Sequence, residues 1–423
     1  MVSEKNNGIE VLSKLAKTGF FHIISSNVLN KILTFLSNIV VVRLVSKIDY
    51  GVFSYADNLV SLVLIATGMG LVSATFQLAS EVEGGEKEKI YNYGSAIGIK
   101  VNIILTIIIL IIAEFFPLKF SSAKEYLILM SINPIILIIF EFQQIYLRSR
   151  MENKKFSFAS TLNTALVVVG AIIGVILATI DGMIIGRICG YVITIIIVCV
   201  KFKVPIKLKT DKNDIIKEKK IALFKISIIS MLNNGISQLL YLLDVFLLGV
   251  IISDEAVIAS YKVATVIPTA MTFIPSAVVM YIYPYFAFHR DDKNWCLVHY
   301  KKVIKYFGAV NLIISMLMFF LAKPIIIILY GVQYVDAIIC FRILAINYFF
   351  SGTFRIISGN LLVTQRRLSF NLFVSILSGI VNILGNLILI PNFESIGAAS
   401  TTLLVVLISS IISTSYYVYV LKK

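Results

Sequence analysis

The sequence predicts an all-α polytopic membrane protein, with about twelve transmembrane helices in two six-helix lobes around a central cavity. Three observations carry this. The 423 residues are 58% hydrophobic and only 14% charged, far more apolar than an ordinary soluble domain. Apolar runs long enough to cross a hydrocarbon core of roughly 30 Å, which takes about 20 helical residues, recur from Gly19 to Leu421. A basic segment, Lys201 to Lys220, then divides the chain into halves of similar length.

Helices rather than a barrel follow from runs such as IILTIIILIIAEFF (Ile103 to Phe116), which do not alternate as barrel strands must. The spans are expected at 19–46, 51–80, 90–116, 122–148, 156–180, 183–202, 221–252, 256–287, 302–322, 325–364 (with a break near Gly331), 367–390 and 395–421. The polar leader Met1 to Lys17 meets the first span without a small-residue cleavage site, so that span is expected to stay. Lys14, Lys17, Arg148 to Lys155, Lys201 to Lys220, His289 to Lys302, the QRR at 365–367 and the terminal LKK all fall on one side. The positive-inside rule makes that side cytoplasmic and places both termini there. It also accounts for the formal charge of +15 more simply than a nucleic-acid partner does.

The halves are expected to be an N-terminal lobe at 1–200, a basic linker at 201–220 and a C-terminal lobe at 221–423. Shifting the first half by 206 positions sets Asn27 on Asn233, Asn38 on Asp244, Asp49 on Glu255, Ser54 on Ser260 and Tyr55 on Tyr261. Leucine matches mean little in a membrane protein, so the polar coincidences carry the repeat. Six spans per half is an even number, which relates the halves by an axis along the membrane normal.

Polarity in the first span has a face. Asn27, Asn30, Lys31, Thr34 and Asn38 fall at i, i+3, i+4, i+7 and i+11, one stripe about 100° wide. Ser230, Asn233, Ser237, Tyr241 and Asp244 share a face of the seventh span by the same arithmetic. Two opposed polar faces can enclose a wet cavity. Lys31 lies roughly 18 Å into its span, where an unpaired charge costs about 2.5–3.5 kcal/mol. Water, an acidic neighbour such as Asp57, or an anionic ligand would offset it. For any single Asn or Ser the plainer role is an interhelical hydrogen bond.

The remaining charges divide between two roles. Arg43 either snorkels at the end of span one or meets a ligand. Asp57, Asn58 and Lys262 lie near the ends of spans two and eight and are cavity candidates. Glu141, Gln143 and Gln144 precede Arg148 and Arg150 at the end of span four, where positive-inside anchoring is the simpler role. Asn382 and Asn386, at i and i+4 beside Gly379 and Gly385, serve either packing or a cavity wall. His22 is interfacial. Cys189, Cys199, Cys296 and Cys340 have neither disulfide nor zinc spacing; the pair in CLVH (Cys296 to His299) is two ligands short of a metal site.

No phosphate-cradling Gly-rich Lys motif and no sizeable outer loop for catalysis is visible, so transport would be driven by an ion, a substrate gradient or membrane potential.

Four segments resemble a known family: VVRLVSKIDYGVFSYADNLVSLVLIATGMGLVSATFQLAS, FLAKPIIIILYGVQYVDAIICFRILAINYFF, NLLVTQRRLSFNLF and IVNILGNLILIPNFESIGAASTTLL. In this order they are similar to the polysaccharide-transporter branch of the multidrug, oligosaccharidyl-lipid and polysaccharide exporter superfamily, although SKIDYG lacks the Gly-Pro common there. The resemblance implies a fold like that of the multidrug and toxin extrusion (MATE) proteins. It implies a flippase, not an enzyme, in the bacterial plasma (inner) membrane. Its cargo would be undecaprenyl-diphosphate-linked oligosaccharide, carried to the outer leaflet by alternating access for O-antigen or capsule. Lys31, Arg43 and Lys262 would meet the diphosphate, beside Asn27, Asn30, Asn38, Asp57, Asn233 and Asp244. No cofactor is expected; a proton or sodium ion through Asp57 or Asp244 is the candidate coupling ion. A glycan polymerase and glycosyltransferases are the implied partners. The rivals are a cation-coupled multidrug antiporter of the same fold, whose cavity should favour carboxylates and aromatics, and a membrane-embedded glycan polymerase or ligase, which usually carries a large outer loop.

Overall fold

The computed structural model describes residues 20–206 and 216–423. Lys14, Lys17 and residues 207–215 of the basic linker lie outside the described residues, as do the side chains of Asn233, Ser237 and Tyr241. Among the described residues every regular element is helical. In chain order they are α1 (Phe20–Leu44), α2 (Lys47–Leu64), a 3-10 turn (Thr67–Gly70), α3 (Leu71–Ser80), α4 (Gly85–Phe115), α5 (Ala123–Met130), α6 (Asn133–Ser149), α7 (Asn153–Phe202) and α8 (Lys217–Ile251). There follow α9 (Glu255–Met271), α10 (Phe273–Phe288), α11 (Lys293–Phe320), α12 (Ala322–Tyr330), a 3-10 turn (Val332–Tyr334), α13 (Ala337–Phe350), a π turn (Ser351–Arg355), α14 (Ile356–Thr364) and α15 (Leu368–Lys422).

Nine stretches among the described residues are long and apolar enough to cross a membrane. Two of them, α7 and α15, are helical hairpins. Helical backbone geometry is lost at Ala178 and Thr179 in α7 and at Glu394 in α15, close to the breaks expected between spans at 180–183 and 390–395. The arms of α7 then pack backbone to backbone: a methyl on Gly174 would lie 1.9 Å from the carbonyl oxygen of Gly182, and one on Gly186 2.0 Å from that of Gly170. Small residues allow this approach, which replaces the hydrophobic drive that lipid does not supply. Each hairpin thus provides two spans. The 35-residue α8, about 52 Å long at ~1.5 Å per residue, also has the length to cross.

The second span of each half is a broken helix. Residues 47–80 and 255–288 both form 34-residue spans. The first is interrupted at Gly68, Met69 and Gly70, all at positive φ. The second is interrupted at Thr272, where Pro275 has no N–H to return to the carbonyl of Met271. The fourth span is also interrupted in each half, at Ser131–Ile132 and at the π turn. A fully buried asparagine of the third span stands at these interruptions. Asn102 accepts from the Gly68 N–H (2.7 Å) and donates to the Pro134 carbonyl (2.6 Å). Asn311 donates to Thr353 Oγ1 (3.2 Å) and accepts from Tyr348 Oη (2.9 Å).

Contacts divide the chain into two compact units, one holding residues up to 45 with 59–235, the other 46–58 with 236–423. This grouping differs from a cut at the linker by two segments, and side-chain chemistry explains both. In the first unit, Leu223 of α8 joins the core of Leu71, Tyr91, Ile138 and Phe142, and Lys219 pairs with Glu86. In the second, Lys47 of α2 forms a salt bridge with Asp336 (2.7 Å), which also accepts from Ser260 Oγ (2.6 Å). Gly51 lies flush against the backbone of Glu255, where a methyl would sit 1.9 Å from its carbonyl oxygen.

Candidate functional site

The second unit contains a cavity of about 190 Å³ walled by transmembrane side chains. Its shape follows from helical spacing. α9 begins cleanly because Asp254 caps the Ala256 and Val257 N–H groups (2.8 and 3.4 Å). It then presents Tyr261, Lys262, Thr265 and Thr269 to the cavity, a face repeating at i, i+1, i+4 and i+8. α8 contributes Asp244, α2 contributes Asn58, and the two arms of α15 bring Asn382 and Thr402 to the same wall.

Asp244 is the chemical centre of one end. It is 6% exposed. Oδ1 accepts from Asn382 Nδ2 and Asn386 Nδ2, both at 2.8 Å. Oδ2 accepts from Tyr261 Oη at 2.8 Å and from the Thr402 hydroxyl. Four neutral donors fill the acceptor capacity of the carboxylate. No ion pair of Asp244 is formed among the described residues, although Lys262 and Arg355 line the same cavity. A carboxylate held by amides and hydroxyls keeps its negative charge available to a small cation. A half-turn about χ2 of Asn382 or Asn386 would replace an N–H donor with a carbonyl oxygen.

The other end is formed by the tenth span. Asn347, Ser351 and Arg355 stand at i, i+4 and i+8, and all three line the cavity. Asn58 closes the wall from α2 by donating to the Leu242 carbonyl (3.2 Å).

The structure therefore brings Asp244 and Lys262 into one cavity and does not add Asp57, which is half-buried on α2 one residue before Asn58. Asn27, Asn30, Lys31, Asn38 and Arg43 lie on α1 in the first unit. There Asn30 Nδ2 donates to Ser160 Oγ of α7 at 2.9 Å, while Asn27, Lys31 and Arg43 are exposed and Asn38 is half-buried. Asn233 lies in α8 with its side chain outside the described residues. Asn382 and Asn386, read two ways from sequence, hold the carboxylate. His299 of the CLVH pair stacks on Trp295 at 3.9 Å. Sequence reasoning missed Tyr261 and Thr402 as Asp244 partners and the Asn347–Ser351–Arg355 stripe. The signal for the stripe was its four-residue spacing, hidden among Phe349, Phe350 and Phe354.

The fold is shared with solved transporters. The structure described as lipid II flippase MurJ, inward closed conformation, is 17% identical, with 95% of this chain and 87% of that chain covered at a TM-score of 0.74. An inward-facing multidrug resistance MATE family transporter of the MOP superfamily is 15% identical, with 93% and 96% covered and a TM-score of 0.70. A MOP superfamily transporter from Pyrococcus furiosus, described by the reverse polarity of its binding pocket, is 14% identical, with 96% of each chain covered and a TM-score of 0.58. No curated protein matches by sequence. The family model described as polysaccharide biosynthesis protein matches residues 40–339, and the chain belongs to that family.

Proposed function

We propose that the chain is an alternating-access flippase that carries undecaprenyl-diphosphate-linked oligosaccharides from the cytoplasmic to the outer leaflet of a bacterial plasma membrane. The cargo would feed surface polysaccharide such as O-antigen or capsule, between the glycosyltransferases that build the unit and the polymerase that joins units. The chain acts as a carrier, with both termini cytoplasmic and the halves 1–200 and 221–423 as its moving bodies. The supporting observation is a polar cavity, faced by Asp244, Lys262 and Arg355, set among membrane spans in a chain of a polysaccharide biosynthesis family.

The residues take distinct roles in this reading. Lys31, Arg43 and Lys262 meet the diphosphate, and Asn27, Asn30, Asn38, Asp57 and Asn233 give the path a wettable wall. Outward movement of each negative charge across an inside-negative membrane gains about 2.3 kcal/mol per 100 mV. Asp244 is the coupling site: sodium or a proton neutralises a carboxylate that otherwise stands in the membrane with only neutral partners. Among the described residues Asp57 has no such cage.

The test is reconstitution in liposomes with a labelled diphosphate-linked oligosaccharide lipid in one leaflet. The expected result is faster access from the opposite leaflet than in protein-free vesicles. Access no faster than that, together with transport of a cationic dye, replaces the flippase with a multidrug antiporter.

A further inference from the structure

We infer that the end of the second unit's cavity remote from Asp244 is an oxyanion subsite, in which Arg355, with Asn347 and Ser351, receives a phosphate or carboxylate group of the transported molecule. The physiological ligand rests on the flippase reading above; the site itself does not.

The first argument is charge. Arg355 is half-buried in the middle of the tenth span, nine residues before that span ends at Thr364, too deep for its head to reach the span's end. Among the described residues it has no ion pair, hydrogen bond or ring partner. Asp244 does not pair with it; that carboxylate accepts instead from Tyr261, Thr402, Asn382 and Asn386. The two also stand apart. The cavity runs along α9 and just past it from Tyr261, which binds Asp244, to Thr272, an axial distance of about 16 Å at ~1.5 Å per residue, and the π turn lies near the far end, where a methyl on Gly352 would stand 3.2 Å from Pro275 Cγ. A guanidinium offers a planar fork of five N–H donors, which matches phosphate or carboxylate oxygens in pairs.

The second argument is independent of charge. Asn347 Oδ1 is buried and has no hydrogen-bond partner among the described residues, so a donor from a ligand would offset the cost of its burial. Asn347 and Ser351 both line the cavity, and Ser351 Oγ likewise makes no hydrogen bond among the described residues. Three consecutive polar positions on one helix face, all unpartnered and all turned to the same space, leave a ligand-sized set of hydrogen-bonding groups unmet.

The third argument is backbone geometry. In an ideal α-helix, Arg355 would sit about 80° around the axis from Asn347. The stripe instead passes through the π turn Ser351–Arg355. A π turn closes i→i+5 bonds and so rotates less per residue, which reduces that drift and brings Arg355 back over Asn347. Such single-turn π segments concentrate at functional sites. Asn311 and Thr353 brace the turn from behind with a 3.2 Å hydrogen bond.

The test uses the purified full-length protein in detergent, titrated at constant ionic strength with inorganic diphosphate in one arm and glucuronate in the other, and followed by calorimetry. Saturable binding is expected in at least one arm. Tighter diphosphate binding assigns the subsite to the lipid head group, and tighter glucuronate binding assigns it to an acidic sugar. Arg355→Gln should weaken binding at least tenfold, Arg355→Lys less, and Arg290→Gln, an arginine outside the cavity, not at all. Absence of saturable binding in both arms, or wild-type affinity in Arg355→Gln, overturns the inference. Should neither variant at 355 fold, Asn347→Asp, which sets a carboxylate beside the guanidinium, carries the test: it should abolish binding, and unchanged affinity overturns the subsite. Anion binding without lipid movement would leave the subsite and remove the flippase; lipid movement without anion binding would do the reverse.

Discussion

Replacing Asn102 by Ala should loosen the broken second span of the first unit in a way that can be read at one amide. Asn102 is fully buried, and its Oδ1 is the acceptor for the Gly68 N–H at 2.7 Å, inside a turn that already holds three residues at positive φ. Removing the acceptor leaves that buried N–H without a partner, a cost of about 1–3 kcal/mol. At ~1.4 kcal/mol per factor of ten, the Gly68 amide should exchange with deuterium about 5- to 140-fold faster. The loss at the Pro134 carbonyl adds a similar cost to global stability without an exchangeable proton of its own. The assay is hydrogen–deuterium exchange on a peptide covering residues 65–71, with Asn311→Ala as the control that disturbs the second unit instead. Unchanged protection in Asn102→Ala, or the same loss in both variants, would refute the role assigned to the asparagine.

Asp244→Asn should abolish the response of flipping to an imposed sodium or proton gradient while leaving exchange down the lipid's own gradient; a tenfold sodium gradient with 100 mV is a drive of about 3.7 kcal/mol, so the loss is large in a liposome assay run with and without the gradient. Lys31→Ala should slow flipping of the diphosphate lipid at least tenfold with normal expression and folding; an unchanged rate returns Lys31 to a structural role. Gly182→Val places a side chain where even a methyl would lie 2.1 Å from the Gly174 carbonyl oxygen, so the α7 hairpin cannot close, and yield of folded protein on size-exclusion chromatography should collapse.

The parts of this molecule that sequence reveals are those governed by period and length. The apolar runs place the spans, and the breaks expected at 180–183 and 390–395 fall at or beside the hairpin turns at Thr179 and Glu394 because a span must end where the hydrocarbon does. Other features depend on what a residue meets in space. Asn102 is a single amide in KVNIIL, which reads as an ordinary interhelical hydrogen bond until the carbonyl of Pro134 and the amide of Gly68 are seen on either side. The partners of Asp244 come from α9 and both arms of α15, up to 158 residues away, so no window of sequence contains them. Arg355 lies in a run of aromatics whose hydropathy masks a four-residue polar spacing. Segment 46–58 looks like the start of a first-half helix, yet one ion pair, Lys47 with Asp336, and one glycine, Gly51, set it into the second unit.

The glycine-seamed hairpin of α7 also bears on how the chain is made. Its arms are joined by a turn at Ala178 and Thr179, with no loop to rest at the membrane surface while the second arm waits. The arms must therefore leave the insertion machinery as a pair, because the first alone would show lipid a row of bare backbone at Gly170 and Gly174. A nascent chain stalled between them is expected to be a target for quality control, so a larger side chain at any of these four glycines should be felt first during insertion.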